Sequence, residues 1–288
     1  MPFRIAVIQM NTRDDKAANL AQAAALIDRA ASLGAELVAL PENFNYLAPY
    51  EGVAANAEPI PGPTTDLLVE KARQHGIYLH CGSIGETVPG GGRVRNTTLL
   101  LGPKGEILGR YSKLHLFDIA VGGHAPYNES EHVDAGAELV TAELPFATVG
   151  LTICYDIRFP ELYRALALKG AQVIFTPAAF TLQTGKDHWE VLLRARAIEN
   201  QVFVVAPAQV GAHPPNRCCF GNAMIVNPWG TVIARAPEEE AVVVADIDLD
   251  YLNRVRQQIP SLRHRREDVY GAPGEAAVRA AARFARQG

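Results

Sequence analysis

The 288-residue chain has only four cysteines and no C-x-x-C pair, which excludes a disulfide framework and the common structural zinc modules. Its eight histidines include no metal-binding pair spaced as in H-E-x-x-H. His80, His115, His124 and His188 are therefore expected in core or surface roles, with no metal and no organic cofactor. An excess of positive charge is also missing: 27 Lys and Arg stand against 31 Asp and Glu, a net charge of −4. A nucleic-acid platform needs a concentrated basic face, and the one basic cluster, Arg263-His-Arg-Arg266, is short. No apolar run approaches the roughly 20 residues of a membrane span. No signal pattern precedes Arg4-Ile-Ala-Val-Ile-Gln-Met, which already reads as a core strand. A cytoplasmic enzyme without nucleic-acid or membrane partners is the expectation.

What the chain does have is a 48% hydrophobic content, enough for a large core, and an internal duplication. Ala35-Glu-Leu-Val-Ala-Leu-Pro-Glu-Asn-Phe44 echoes Ala171-Gln-Val-Ile-Phe-Thr-Pro-Ala-Ala-Phe180. In both halves a helical stretch and a strand follow, then a hairpin whose turn carries Gly105 or Gly230. Strands alternating with helices give a sheet covered by helices on one face, and the other apolar face must also be buried. Packing the two sheets together does so, which predicts an α/β fold, a four-layer α-β-β-α sandwich built from two similar halves. One domain spanning residues 1–288 is expected.

Cys154 stands where the apolar run Val149-Gly-Leu-Thr-Ile breaks into a helical sequence, the setting of a nucleophile on a strand-to-helix turn. There it is placed to be a thiolate, with the Tyr155 backbone N–H as oxyanion donor. The two copies of the duplication differ at the carboxyl ends of matching strands, where ligands bind in α/β layers: Glu42 follows Pro41, but Ala178 follows Pro177. Lys113, just after a hairpin strand, offers a cation for an oxyanion. Cys81 reads as a packed core thiol, and the adjacent Cys218 and Cys219 as two separate thiols. The aromatic loops at Tyr46 and at Phe180 and Thr181 are expected to wall a pocket. Arg158, on the first turn after the nucleophile, is a candidate anchor for a substrate carboxylate, or a partner of Glu161 or Asp156.

Three separated segments, Leu40-Pro-Glu42-Asn-Phe, Tyr111-Ser-Lys113-Leu-His-Leu-Phe-Asp118 and Cys154-Tyr-Asp-Ile-Arg-Phe-Pro-Glu161, resemble in order and spacing the Glu-Lys-Cys triad of the nitrilase-like carbon-nitrogen hydrolases. The likeness runs from about Arg4 to about Tyr270, and Asp187 to Asn200 and Asn227-Pro-Trp-Gly-Thr231 are similar to the Nit branch, which acts on deaminated glutathione and omega-amides. The resemblance implies the sandwich fold and a catalytic set of Glu42, Lys113 and Cys154. It also implies a second glutamate, Glu129, in Pro126-Tyr-Asn-Glu-Ser130, orienting Lys113. The sequence departs from that pattern at Gly122-Gly123, where Pro-Gly is usual.

The expected chemistry is amide hydrolysis through a thioester, with Glu42 moving the proton from thiol to departing ammonia and then activating water. Nitrile and N-carbamoyl amide hydrolysis use the same groups. A papain-like peptidase lacks its signature around the cysteine, and a non-catalytic binding protein on this fold would not need all three triad positions. A homodimer is expected, with the tail at 257–288 docked across the interface.

Overall fold

The computed structural model describes residues 2–48, 50–120 and 127–271. Gly122-Gly123, His124 and the tail beyond Gly271 lie outside the described residues.

The duplication is visible as two runs of five strands with the same pairing. In the first, β1 (Phe3–Met10), β2 (Leu37–Ala39) and β3 (Tyr78–His80) are parallel neighbours, followed by the antiparallel hairpin of β4 (Val94–Leu101) and β5 (Ile107–Ser112). In the second, β6 (Thr148–Leu151), β7 (Val173–Phe175) and β8 (Phe203–Ala206) are parallel, followed by the hairpin of β9 (Met224–Val226) and β10 (Val232–Arg235). Both hairpin turns close as expected, the Gly105 N–H donating to Gly102 O and the Gly230 N–H to Asn227 O, each at 2.8 Å.

Period-two alternation decides which layer each side chain joins. Along β1, Ala6, Ile8 and Met10 face the helices α1 (Lys16–Ser32) and α2 (Pro63–His75), packing on Ala23, Ile27 and Leu68. Ile5 and Val7 face the other way, into a core shared with Leu151, Val173 and Phe175 of the second sheet. The rings of His80 and Phe175 stack across that inter-sheet layer at 4.6 Å. Beyond the second sheet lie α3 (Pro160–Leu168) and α4 (Glu190–Asn200), which bury Leu162, Leu166, Leu193 and Ala197. The layers are thus α-β-β-α.

The halves are less symmetric than the sequence suggests. The first sheet has nine strands, because Ile84–Thr87 pairs with β4 beyond its run of five and the second half lends it three more. Ala208–His213 pairs in parallel with β1 at Gln9 and Met10 and forms a hairpin with Arg217–Phe220, while Ala241–Ile247 runs antiparallel along β1 from Phe3 to Gln9. These strands bring Arg217, Cys218 and Cys219 to the carboxyl ends of β1 and β2, where the duplicated halves meet.

Candidate active site

Glu42, Lys113, Glu129 and Cys154 converge at the strand ends between the two sheets, each at most 6% exposed. Glu42 leaves the end of β2 on a sharp turn, since Asn43 has φ +54°, and Gly82 beneath it leaves no room for a side chain. A Cβ there would stand 2.1 Å from Pro41 O. Lys113 extends the ladder of β5, its N–H donating to Asn96 O at 2.9 Å. Cys154 starts a 3-10 turn, Cys154–Arg158, that leads from β6 towards α3. Its φ of +47° is rare for a residue with a Cβ and costs about 1–3 kcal/mol. Cys154 thus stands on a strand-to-helix turn, and Tyr155 supplies one of the first-turn N–H groups that have no partner within a helix.

The polar contacts form one network. The Lys113 ammonium donates to Glu42 Oε1 at 3.1 Å and to Glu129 at 2.8 and 3.1 Å. Glu129 is fixed further by the Phe117 N–H, 2.6 Å from Oε2. Glu42 accepts from Asn96 Nδ2 at 2.9 Å and from the Ala179 N–H at 2.8 Å. Burial opposes the charge on Lys113, but the carboxylates of Glu129 and Glu42 outweigh it and hold the ammonium well above its ordinary value. For Cys154 burial comes first and the Glu42 charge adds to it, against the attraction of Lys113, so the thiol is pushed well up. Burial and the Glu42 charge thus favour the protonated sulfur over the thiolate.

Above these groups opens a cavity of about 760 Å³ including its mouth. Tyr46, Phe180 and Thr181 line it, and so does Tyr155. Arg158 does not. Its guanidinium lies over the rings of Phe180 and Tyr155, at 5.3 and 5.8 Å, and 3.4 Å from His188 Nδ1, so it backs the wall instead of facing the cavity or pairing with Glu161. The lining cations are Lys113 and Arg217, the latter 5.2 Å from the Tyr127 ring. Arg217, Tyr127, Asn96 and the Ala179 N–H are not among the site residues to which the sequence points. Cys218 and Cys219 also line the cavity. Among the described residues no cluster of His, Cys, Asp and Glu is arranged to hold a metal ion.

Residues 4–257 match the carbon-nitrogen hydrolase family over most of the chain. The chain belongs to that family. It is 46% identical over 267 residues to a deaminated glutathione amidase of Synechocystis, covering 92% of this chain and 98% of that one. It is also 46% identical over 270 residues to omega-amidase NIT2 of Danio rerio, covering 93% and 96%. Among solved structures the C. elegans NitFhit protein superposes with a TM-score of 0.87 at 40% identity, over 93% of this chain and 66% of that longer one. This carbon-nitrogen hydrolase is thus a Nit-branch member of the nitrilase superfamily, as the segments Asp187 to Asn200 and Asn227 to Thr231 implied.

Proposed function

We propose that the enzyme hydrolyses small non-peptide amides through a thioester on Cys154, with Glu42 as general base and acid and Lys113 as the oxyanion cation. The carrying observation is that the Cys154 thiol stands with the buried, hydrogen-bonded set of Glu42, Lys113 and Glu129 at the base of one open cavity. Glu42 removes the thiol proton as sulfur attacks the amide carbon, and the carbonyl electron pair moves onto oxygen between the Lys113 ammonium and the Tyr155 N–H. Collapse of that intermediate breaks the C–N bond, and Glu42 returns the proton to the leaving nitrogen. Water, deprotonated by the same glutamate, then opens the thioester and frees the acid and the thiol. Glu129 holds Lys113 in place and takes no part in the proton transfers.

The named activities of the two relatives support an acyl group bearing a carboxylate, of the deaminated-glutathione or omega-amide type. Arg217 on the wall, Arg158 behind it and the Thr181 hydroxyl supply charge and hydrogen bonding for that carboxylate. The test is a panel of deaminated glutathione, α-ketoglutaramate, butyramide, an N-carbamoyl acid and a nitrile, assayed for acid release by the parent and by Cys154→Ala. Turnover of the carboxylate-bearing amides by the parent alone supports the reading; preference for the nitrile overturns the substrate class.

We further propose that residues 1–288 fold as one unit and pair as a homodimer in the cytoplasm. Strand exchange between halves supports the single unit, and four unpaired cysteines fit a reducing compartment. Ile198, Trp229 and Ile259, each about half exposed, share one surface groove that a second copy would cover. Light scattering at micromolar protein tests the dimer.

A further inference from the structure

Asp156, the second residue after Cys154, has no exposed surface, although an isolated buried carboxylate is among the most costly groups to desolvate. Both of its oxygens are occupied. Oδ2 accepts from the Ile153 N–H at 2.8 Å and from the Tyr111 hydroxyl at 2.6 Å. Oδ1 accepts from the His115 backbone N–H at 3.1 Å and from His115 Nδ1 at 2.7 Å. A carboxylate can only accept, so His115 carries its proton on Nδ1 in this contact. The Tyr111 hydroxyl in turn accepts from the Leu114 N–H at 3.2 Å, and the His115 ring stacks on Phe159 at 3.6 Å.

Capping the short turn after β6 explains only one of these bonds, that from Ile153. The other three reach a segment 41 to 45 residues away in sequence, and that segment is the one carrying the oxyanion cation. Tyr111 precedes Lys113 by two positions, while Leu114 and His115 follow it directly. Ile153 precedes Cys154. The carboxylate is therefore a staple between the lysine segment, which continues from the first sheet, and the nucleophile turn, which continues from the second. One is an irregular stretch after a strand end, and the other holds Cys154 at positive φ.

We propose that Asp156 is a positioning residue for amide hydrolysis, its carboxylate locking the Lys113 segment to the Cys154 turn and so presetting where the ammonium stands relative to the attacking sulfur. This rests on the roles proposed above for Cys154 and Lys113. A preorganised oxyanion site loses rate steeply when its donors shift, about a hundredfold for a displacement near 1 Å. Substrate binding depends instead on the cavity wall, to which Asp156, Tyr111 and His115 do not contribute.

The test compares Tyr111→Phe, His115→Ala, His115→Asn and Asp156→Asn with the parent and with Cys154→Ala. Asparagine at 115 keeps a donor near the position of Nδ1. Asparagine at 156 turns an NH2 towards two donors whichever way it faces. Two rates are read well below each variant's melting temperature: steady-state amide hydrolysis, and the acylation burst with p-nitrophenyl acetate, which reports a competent thiol whatever the natural substrate. Tyr111→Phe and His115→Ala are expected to lose about tenfold or more in kcat and in burst rate, with KM within about twofold. His115→Asn should recover most of the His115→Ala loss, and Asp156→Asn should fall furthest. Folded variants with parental kcat and burst rate, or with a raised KM alone, would overturn the positioning role while leaving the nucleophile in place. A Cys154→Ala burst equal to the parent's would sink the nucleophile assignment, and the positioning role with it.

Discussion

Glu42 Oε2 accepts a hydrogen bond from the backbone N–H of Ala179 at 2.8 Å, across the junction of the two duplicated halves. In the duplication Glu42 corresponds to Ala178, so this carboxylate is held by the residue after its own counterpart. The copy that has no carboxylate supplies a backbone donor instead. Glu42 is thereby fixed from both sides, by Ala179 of the second half and by Asn96 and Lys113 of the first.

Glu42→Gln keeps the shape of the side chain but cannot take up a proton. Its kcat is expected to fall by about 10²–10⁴, the usual contribution of general acid-base catalysis. Circular dichroism and thermal melting should show a folded protein. A loss below about tenfold would assign the proton transfer elsewhere.

Asn96→Leu removes a donor to Glu42 and a buried amide whose Oδ1 has no hydrogen-bond partner among the described residues. The lost donor should lower kcat by about tenfold, matching one charge-assisted hydrogen bond of about 1.5–3 kcal/mol. Steady-state kinetics at constant pH check it.

Stability should fall on the acid side before most carboxylates titrate. Burial pushes His80 down to about 3, so the native ring stays neutral while the unfolded one gains a proton below about pH 6.5. The unfolded state then binds more protons than the native state, and stability drops as pH falls from about 6.5 towards 3, with a slope of up to about 1.4 kcal/mol per pH unit. Urea unfolding between pH 7 and 5 measures the slope, and His80→Gln should flatten it. On the alkaline side the sign reverses. Cys81 and Cys154 keep their protons in the native state beyond the ordinary thiol value near 9, so stability falls again above that pH.

Amides with a free carboxylate should be hydrolysed with kcat/KM about tenfold or more above uncharged amides of equal length. The double variant Arg158→Ala/Arg217→Ala should lose that preference while turning over butyramide at close to the parental rate, and the single variants apportion it. Equal values for glutaramate and butyramide in the parent would mean that the pocket reads shape, not charge.

Much of the fold was legible because it repeats. Apolar runs ending in Pro41 and Pro177, and hairpins turning at Gly105 and Gly230, mark matching strands without any long-range information. The exchange of Ala208–His213, Arg217–Phe220 and Ala241–Ile247 into the first sheet was not legible, since an apolar run such as Ala241-Val-Val-Val-Ala shows a strand but not its partner. Arg217 was missed for the same reason: its place on the cavity wall follows from that exchange. Cys154, Glu42 and Lys113 stood out through their strand-end settings and the family likeness. The ionisation of Cys154 did not, because residue type suggests a thiolate beside a lysine while burial and Glu42 reverse the balance. Asp156 looked like an acid on a helical turn, and its donors at Tyr111 and His115 are visible only once the sheets are packed.

The central claim is that Cys154 carries the acyl group. Rapid-quench mass spectrometry during turnover of a carboxylate-bearing amide should find the acyl mass on the peptide containing Cys154, and hydroxylamine should divert part of the product to hydroxamate. Full turnover with no adduct on that peptide and no hydroxamate would contradict the account in favour of direct attack by water.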